Sequence, residues 1–150
     1  MKNKEITLGL IAARKGSVSV KKKNLLKIKN QEITKIALKL AIKCPIIDSV
    51  ILSTDSNKIL NLIKKNKKLI KLKRNKSLAK NNTPMLPVMK NAITFFEKIK
   101  KKKISKLVIF DPTSPLRSME DIQNAIKNFN KEKPDLLLSV HKAQHNPYFS

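Results

Sequence analysis

The residues best suited to chemistry in this sequence run from Arg14 to Asn24, Arg-Lys-Gly-Ser-Val-Ser-Val-Lys-Lys-Lys-Asn. A glycine followed by a serine lets the backbone approach an anion closely and offers amides and a hydroxyl to it. Arg14 adds a planar fork of donors and Lys23 a mobile point charge, a combination suited to a polyphosphate. The spacing fits neither the P-loop nor the dinucleotide fingerprint, which need more glycines than the two present, Gly9 and Gly16. Taken alone, the stretch reads equally as a lysine-rich surface turn. A second polar cluster is Asp111-Pro112-Thr113-Ser114-Pro115-Leu116-Arg117. Asp111 admits two readings, a hard oxygen ligand for Mg²⁺ or a turn former ahead of Pro112. Asp55 is a weaker ligand candidate or a residue at a helix start. His141 and His145 have no nearby Glu or Cys to complete a metal site, and Cys44 reads as a small buried hydrophobe.

The net charge of +24 points first toward nucleic acid, but the kind of charge argues against it. Of 34 basic residues only Arg14, Arg74 and Arg117 are arginine, and Ile and Asn are abundant, the skew of an AT-rich genome. Nucleic-acid surfaces favour arginine forks and stacking aromatics, yet aromatics are 4% of this chain and Trp is absent. The lysine runs at 64–68 and 100–103 are expected to coat solvated helix ends. All three arginines fall in polar loops, so a guanidinium is required there, with a carboxylate or phosphate as its natural partner. No apolar run approaches the roughly 18 residues of a membrane span. The N-terminus lacks a cleavage signal, and the single Cys44 forms no internal disulfide, which makes a reducing cytoplasm the expected compartment.

What must position these loops is an alternating series of elements. Ile6–Ala13, Ser49–Ser53, Leu69–Leu72, Lys106–Phe110 and Asp135–Val140 read as buried strands. Ile33–Lys43 places Ile33, Ile36, Ala37, Leu40 and Ala41 on one helical face, and Pro45 ends it. Further helices are predicted over Asn57–Lys65 and from about Pro87, the latter with Val88, Ala92, Ile93, Phe96 and Ile99 on one side. Residues 74–85 form a polar loop. Ser118 caps a last helix with Asp121 in the capping-box position and Ile122, Ala125, Ile126 and Phe129 as its buried stripe. The order β-α-β-α-β-loop-α-β-α-β is that of an α/β domain with a mostly parallel sheet. Ligands of such sheets bind beyond the carboxyl ends of the strands, where the loops bearing Arg14–Asn24, Ser53–Asp55 and Asp111–Arg117 would gather.

At these loops the chain resembles the acylneuraminate cytidylyltransferase family. Ala13-Arg14-Lys15-Gly16-Ser17, with Lys23-Asn24 at the matching distance, is similar to the stretch that follows the family's first strand. Val50 to Asp55 resembles its V-I-x-S-T-D segment. Arg74 followed by Leu78-Ala79-Lys80-Asn81-Asn82-Thr83-Pro84 resembles its R-P-x-x-L-A-x-D-x-T-P loop, in the form closest to the branch that activates legionaminic and related acids. Pro112 to Arg117 matches P-T-S-P-L-R, and Asn146-Pro147-Tyr148-Phe149 resembles the N-P-Y-F ahead of the substrate-binding half. The five motifs span essentially the whole chain in order.

The resemblance implies a three-layer Rossmann-like nucleotide-diphospho-sugar transferase fold, one domain over residues 1–150, truncated at its C-terminus. It implies transfer of CMP from CTP to an acidic nine-carbon sugar, with release of pyrophosphate and help from Mg²⁺. Arg14 and Lys23 are then the catalytic cations. Ala13, Gly16, Ser17, Asn24, Arg74, Asn81, Asn82 and Thr83 complete the nucleotide site. Asp111, Thr113, Ser114 and Arg117 face the sugar, with Asp111 as a metal ligand as well. Full-length relatives are expected to be homodimers, and no nucleic acid or membrane partner is implied. The chain departs from the pattern at Ala12 (proline in the family), Val18 (lysine), Asn81 (an acidic residue) and Asp111 (often glutamine). The family's late metal-holding D-x-D pair and dimer segment would follow Ser150. Three other readings compete: an eight-carbon-acid cytidylyltransferase, disfavoured by P-T-S-P-L-R, a non-catalytic nucleotide-binding remnant, and a basic nucleic-acid- or membrane-surface-binding domain.

Overall fold

A computed structural model of the chain describes residues 5–16 and 20–140. They form two compact units, one ending at Leu116 and the other beginning at Arg117. The first unit is built on a four-stranded sheet of β1 (Thr7–Ala12), β4 (Ser49–Thr54), β5 (Leu69–Lys73) and β6 (Lys106–Ile109). The spatial order is β5-β4-β1-β6 and every pairing is parallel, as the alternating pattern requires. The central strands β1 and β4 are buried nearly throughout, which is why they read as continuous apolar runs instead of alternating ones.

Connection handedness sets the layers. Right-handed crossovers put α1 (Ile33–Lys43) and the single turn α2 (Asn57–Leu60) on one face. The longer α3 (Met85–Lys100) carries the chain back from β5 to β6 and so covers the other face. On that side Leu8, Leu10, Ile51 and Leu72 join Ala92 and Phe96 in a core. Gly9 lies against Ile47, Val50 and Phe110; a Cβ there would sit 3.3 Å from Ile47 Cγ2 and from Phe110 Cε2. That glycine is present because the neighbouring side chains fill its space.

Between β1 and α1 runs a small hairpin, β2 (Lys27–Ile28) with β3 (Gln31–Glu32), which sequence reasoning did not anticipate. Its two turn residues, Lys29 and Asn30, both have positive φ (45° and 60°), the conformation of a tight two-residue hairpin turn. Only Asn30 carries the usual composition signal for it.

Two predicted elements differ from the structure. The helix expected over Asn57–Lys65 stops at Leu60, where Asn61 N–H is shared between the Asn57 and Lys58 carbonyls. The chain must return along β4 to begin β5 at Leu69, opposite Val50, and a helix through 65 would not reach it. The lysine run is also not wholly solvent: half-buried Lys68 donates its Nζ to the carbonyls of Cys44 (3.0 Å) and Ile47 (2.8 Å), closing the end of α1. The strand expected over Asp135–Val140 is absent, with Leu136, Leu138 and Val140 exposed. An apolar run becomes a strand only where a neighbour takes its amides and carbonyls, and no described strand pairs with it. In the second unit, α4 (Met119–Glu132) has the full capping box between Ser118 and Asp121 that its sequence predicts.

Candidate functional site

Reversal of the strand order between β1 and β6 opens a switch point at their carboxyl ends, the position where sheets of this kind take ligands. The loop after β1 leaves there beside the loop after β6, since Phe110 N–H donates to Leu10 O at 2.8 Å. The ends of β4 and β5 lie alongside, joined by Arg74 N–H to Thr54 O at 2.8 Å.

Ala13 is fully buried and bonded through its N–H to Ser53 O, so it contributes backbone position and no accessible side chain. Arg14 follows, half-buried, its guanidinium donating to Asn81 Oδ1 from the loop after β5. The Arg14 carbonyl accepts from Asn24 Nδ2 at 2.9 Å, and the Asn24 carbonyl accepts from Thr34 Oγ1 at 2.6 Å. Asn24 thus ties the strand exit to the start of α1 and holds the loop closed. Lys23 opens the 3-10 turn Lys23–Leu25 and is half-buried. Gly16 is exposed with an ordinary φ, and among the described residues a Cβ on it would meet nothing nearer than Arg14 Nη1 at 4.0 Å. Ser17 lies outside the described residues.

Arg74 is the most buried cation of the group, 6% exposed, donating Nε to Ser53 Oγ (3.1 Å) and Nη2 to Ser53 O (2.8 Å). Burial pushes its pKa down from the ordinary arginine value; Asp55 opposes that shift and Arg14 reinforces it. A guanidinium stays protonated through such a shift, so three fixed charges, Arg14, Asp55 and Arg74, share the strand ends. Asp55 is not a helix cap, a role Ser56 fills by accepting from Ile59 N–H, and among the described residues it is in no group of three or more His, Cys, Asp and Glu. Its Oδ1 accepts from Lys15 N–H at 2.6 Å. Asn81 and Asn82 are exposed, and Thr83 folds back to the Ser77 carbonyl at 3.3 Å.

After β6, Asp111 Oδ1 accepts from both the N–H and the hydroxyl of Thr113, each at 2.8 Å, while Ser114 N–H reaches the Asp111 carbonyl at 3.2 Å. The turn-forming role foreseen for Asp111 is therefore filled. Among the described residues no three of His, Cys, Asp and Glu are grouped to hold a metal. Any Mg²⁺ here would be bound through a carboxylate together with ligand phosphates and water, the usual habit of that ion. Arg117 begins the second unit, just ahead of the α4 cap. His141, His145 and Asn146–Phe149 fall outside the described residues.

The structure thus brings Arg14, Asn24, Arg74 and Asn81 together with Asp55, a residue whose binding partner pattern matching could not supply. A parallel α/β sheet with the Arg14 guanidinium and the exposed Gly16 beyond its strand ends is an arrangement that can receive an anionic group. The chain belongs to the cytidylyltransferase family, whose model matches residues 8–148. It is 34% identical over 140 residues to a CMP-N,N'-diacetyllegionaminic acid synthase of Campylobacter jejuni. It is 33% identical, also over 140 residues, to the post-translational flagellin modification protein B of Campylobacter coli. Each match takes in 93% of this chain and 60% of the relative, so the chain spans well under two thirds of the length of these curated relatives. Among solved structures, a CMP:2-keto-3-deoxy-manno-octonic acid synthetase complexed with CTP has the same fold. It aligns with a TM-score of 0.62 at 14% identity, over 86% of this chain and 49% of the other.

Proposed function

We propose that this chain supplies the CTP-binding half of a cytidylyltransferase that transfers CMP to a sialic-type nine-carbon acid, of which N,N'-diacetyllegionaminic acid is the leading case. The observation that carries the reading is the Arg14 loop: a guanidinium held by Asn81 beyond the carboxyl ends of β1 and β5, next to a glycine that no described residue crowds. Since neither φ nor packing among the described residues requires Gly16, a ligand coming close from outside gives it a role, and a phosphate is the natural visitor. The legionaminic acid synthase among the relatives supports the choice of acceptor.

In the proposed reaction the anomeric hydroxyl of the sugar attacks the α-phosphorus of CTP in line. The bond to the bridging β-phosphate oxygen breaks, pyrophosphate leaves with that electron pair, and the hydroxyl proton passes to solvent. Arg14 and Lys23 hold the phosphates and absorb charge as it shifts toward the leaving group. Asn82, Thr83 and Ser17 are assigned to the nucleotide, and Thr113, Ser114 and Arg117 to the sugar and its carboxylate. Mg²⁺ supplies charge neutralisation on the triphosphate when bound, with Asp111 as its protein carboxylate. We place this work in the cytoplasm; among the described residues no helix is long and apolar enough to cross a membrane.

Titration with CTP, ATP and GTP in the presence of Mg²⁺ tests the reading. CTP is expected to bind most tightly and to survive moderate salt. Equal binding of all three that vanishes with salt would reduce the site to polybasic attraction. Pyrophosphate release from CTP with legionaminate and N-acetylneuraminate as acceptors tests transfer itself.

A further inference from the structure

The pairing of β1 with β4 ends in an irregular rung. Ala12 lies opposite Ser53, and Ala13 N–H donates to Ser53 O at 3.0 Å. Parallel ladders repeat every two residues, so the next bond would run from Lys15 N–H to the carbonyl of Asp55. Lys15 N–H instead donates to the Asp55 side chain, to Oδ1 at 2.6 Å. The displaced carbonyl of Asp55 accepts from Lys73 Nζ at 2.8 Å.

The substitution changes where the chain goes. A carboxylate stands two bonds beyond the Cα on its own branch, so an amide bonded to it leaves the line of the strand. Asp55 itself is braced on every side. Ser56 N–H donates to Thr54 Oγ1 at 3.1 Å, Arg74 N–H closes on Thr54 O, and Lys73 Nζ also bonds Asn57 Oδ1. The side chain therefore reaches out from a fixed base to a loop that is otherwise anchored through Asn24 and Asn81. Its own negative charge acts on the Arg74 guanidinium, on which the Arg14 guanidinium acts in the opposite sense. A bare negative charge there repels a triphosphate, so the hydrogen bond is the useful part of the residue.

We propose that Asp55 is a positioning residue for the phosphate loop: by taking the place of its own carbonyl as acceptor for Lys15, its side chain sets the course of Arg14–Gly16 and with it the affinity for CTP. The affinity half of this statement rests on the CTP reading given above; the loop-holding half does not.

The test compares Asp55→Asn, which keeps an oxygen acceptor at the same reach, with Asp55→Ala, which has none. Two readouts are taken on the full chain: the NMR position of the Lys15 amide proton without ligand, and the CTP dissociation constant with and without Mg²⁺. Asp55→Ala is expected to move the Lys15 proton upfield and raise the dissociation constant roughly tenfold, the size of one charge-assisted hydrogen bond. Asp55→Asn is expected to keep the proton downfield and stay within about threefold of the parent, since loss of repulsion offsets the weaker acceptor. Asp55→Ser, polar but too short, replaces the alanine variant if that one fails to fold. An unchanged dissociation constant in Asp55→Ala would overturn the proposal. So would equal loss in both variants: a loss seen only with Mg²⁺ would make Asp55 a metal ligand, and one seen without it would make the charge the operative feature. If the parent chain binds no CTP, the functional reading fails, while the Lys15 proton still reports whether Asp55 holds the loop.

Discussion

The two glycines of the chain make opposite predictions from one substitution. At Gly9 a Cβ would stand 3.3 Å from both Ile47 Cγ2 and Phe110 Cε2 and 3.5 Å from Val50 Cγ2. Two of those distances are tighter than ordinary carbon contacts, and all three partners are fully buried, so little can move aside. Overpacking of this kind costs about 1–3 kcal/mol. The alanine also removes freedom from the unfolded chain, which returns about 0.4–1 kcal/mol. The net expectation for Gly9→Ala is a loss of roughly 1–2 kcal/mol, or about 3–8 °C in Tm for a domain of this size. At Gly16 the nearest atom of the described residues to a Cβ is Arg14 Nη1 at 4.0 Å and φ is not positive, so Gly16→Ala should leave Tm unchanged or slightly raised. Its effect should fall on CTP, whose phosphate would meet the added methyl, with a dissociation constant raised at least several-fold. Thermal melts and CTP titrations on both variants decide the matter. A stable Gly9→Ala would refute the packing argument. A Gly16→Ala that binds CTP like the parent would refute the claim that the glycine serves a close-lying ligand.

Three further outcomes are expected. Arg74→Lys should lower stability in urea by about 1–3 kcal/mol through loss of the two bonds to Ser53, with CTP binding changed little; unchanged stability with weakened binding would make Arg74 a direct nucleotide ligand. Lys68→Met should cost about 1–3 kcal/mol in the same assay, because the Cys44 and Ile47 carbonyls lose a charged donor, whereas Lys101→Met on the exposed αL cap of α3 should cost little. The Asp121 carboxyl is held below its ordinary pKa first by the Ser118 backbone N–H, then by the Ser118 side chain. A lowered folded-state pKa contributes stability above the unfolded value of 3.8 that is lost as pH falls through the folded one, and Asp121→Asn should flatten the acid limb of a pH–stability curve there.

Much of this was legible in the sequence because parallel strands and capped helices write themselves locally. The buried runs of β1 and β4, the stripe of α1 and the Ser118–Asp121 box each appear in contiguous residues, and the structure keeps them within a residue or two. The strand at 135–140 was not decidable that way, since its formation depends on a neighbour and not on Leu136–Leu138 themselves. The site divides along the same line. That Arg14 and Asp55 belong to one place follows from topology, and Arg74 and Asn81 join them through the family resemblance, but what each touches follows from neither. Arg74 is implied as a nucleotide contact, and the structure adds that its guanidinium is buried against Ser53; Asn24 is implied likewise, and the structure adds that it ties β1 to α1. Asp55 reads as a metal candidate and holds a backbone amide 40 positions away in sequence, a bond without a sequence signal. The one usable hint was a carboxylate ending a strand beside a basic loop, where an unpaired negative charge would oppose the anion the loop is built for.

The central claim is that CTP binds at the carboxyl ends of β1, β4 and β5, around the Arg14 loop. Amide NMR of the labelled full chain during CTP titration tests it most directly. The account predicts saturable shifts at Lys15, Gly16, Asn24 and Asn81, with none at Ile6, Asp48 or Ser105 on the opposite edge of the sheet. Shifts that instead follow the lysines of 64–68 and 100–103, grow without saturation and disappear with salt would contradict it.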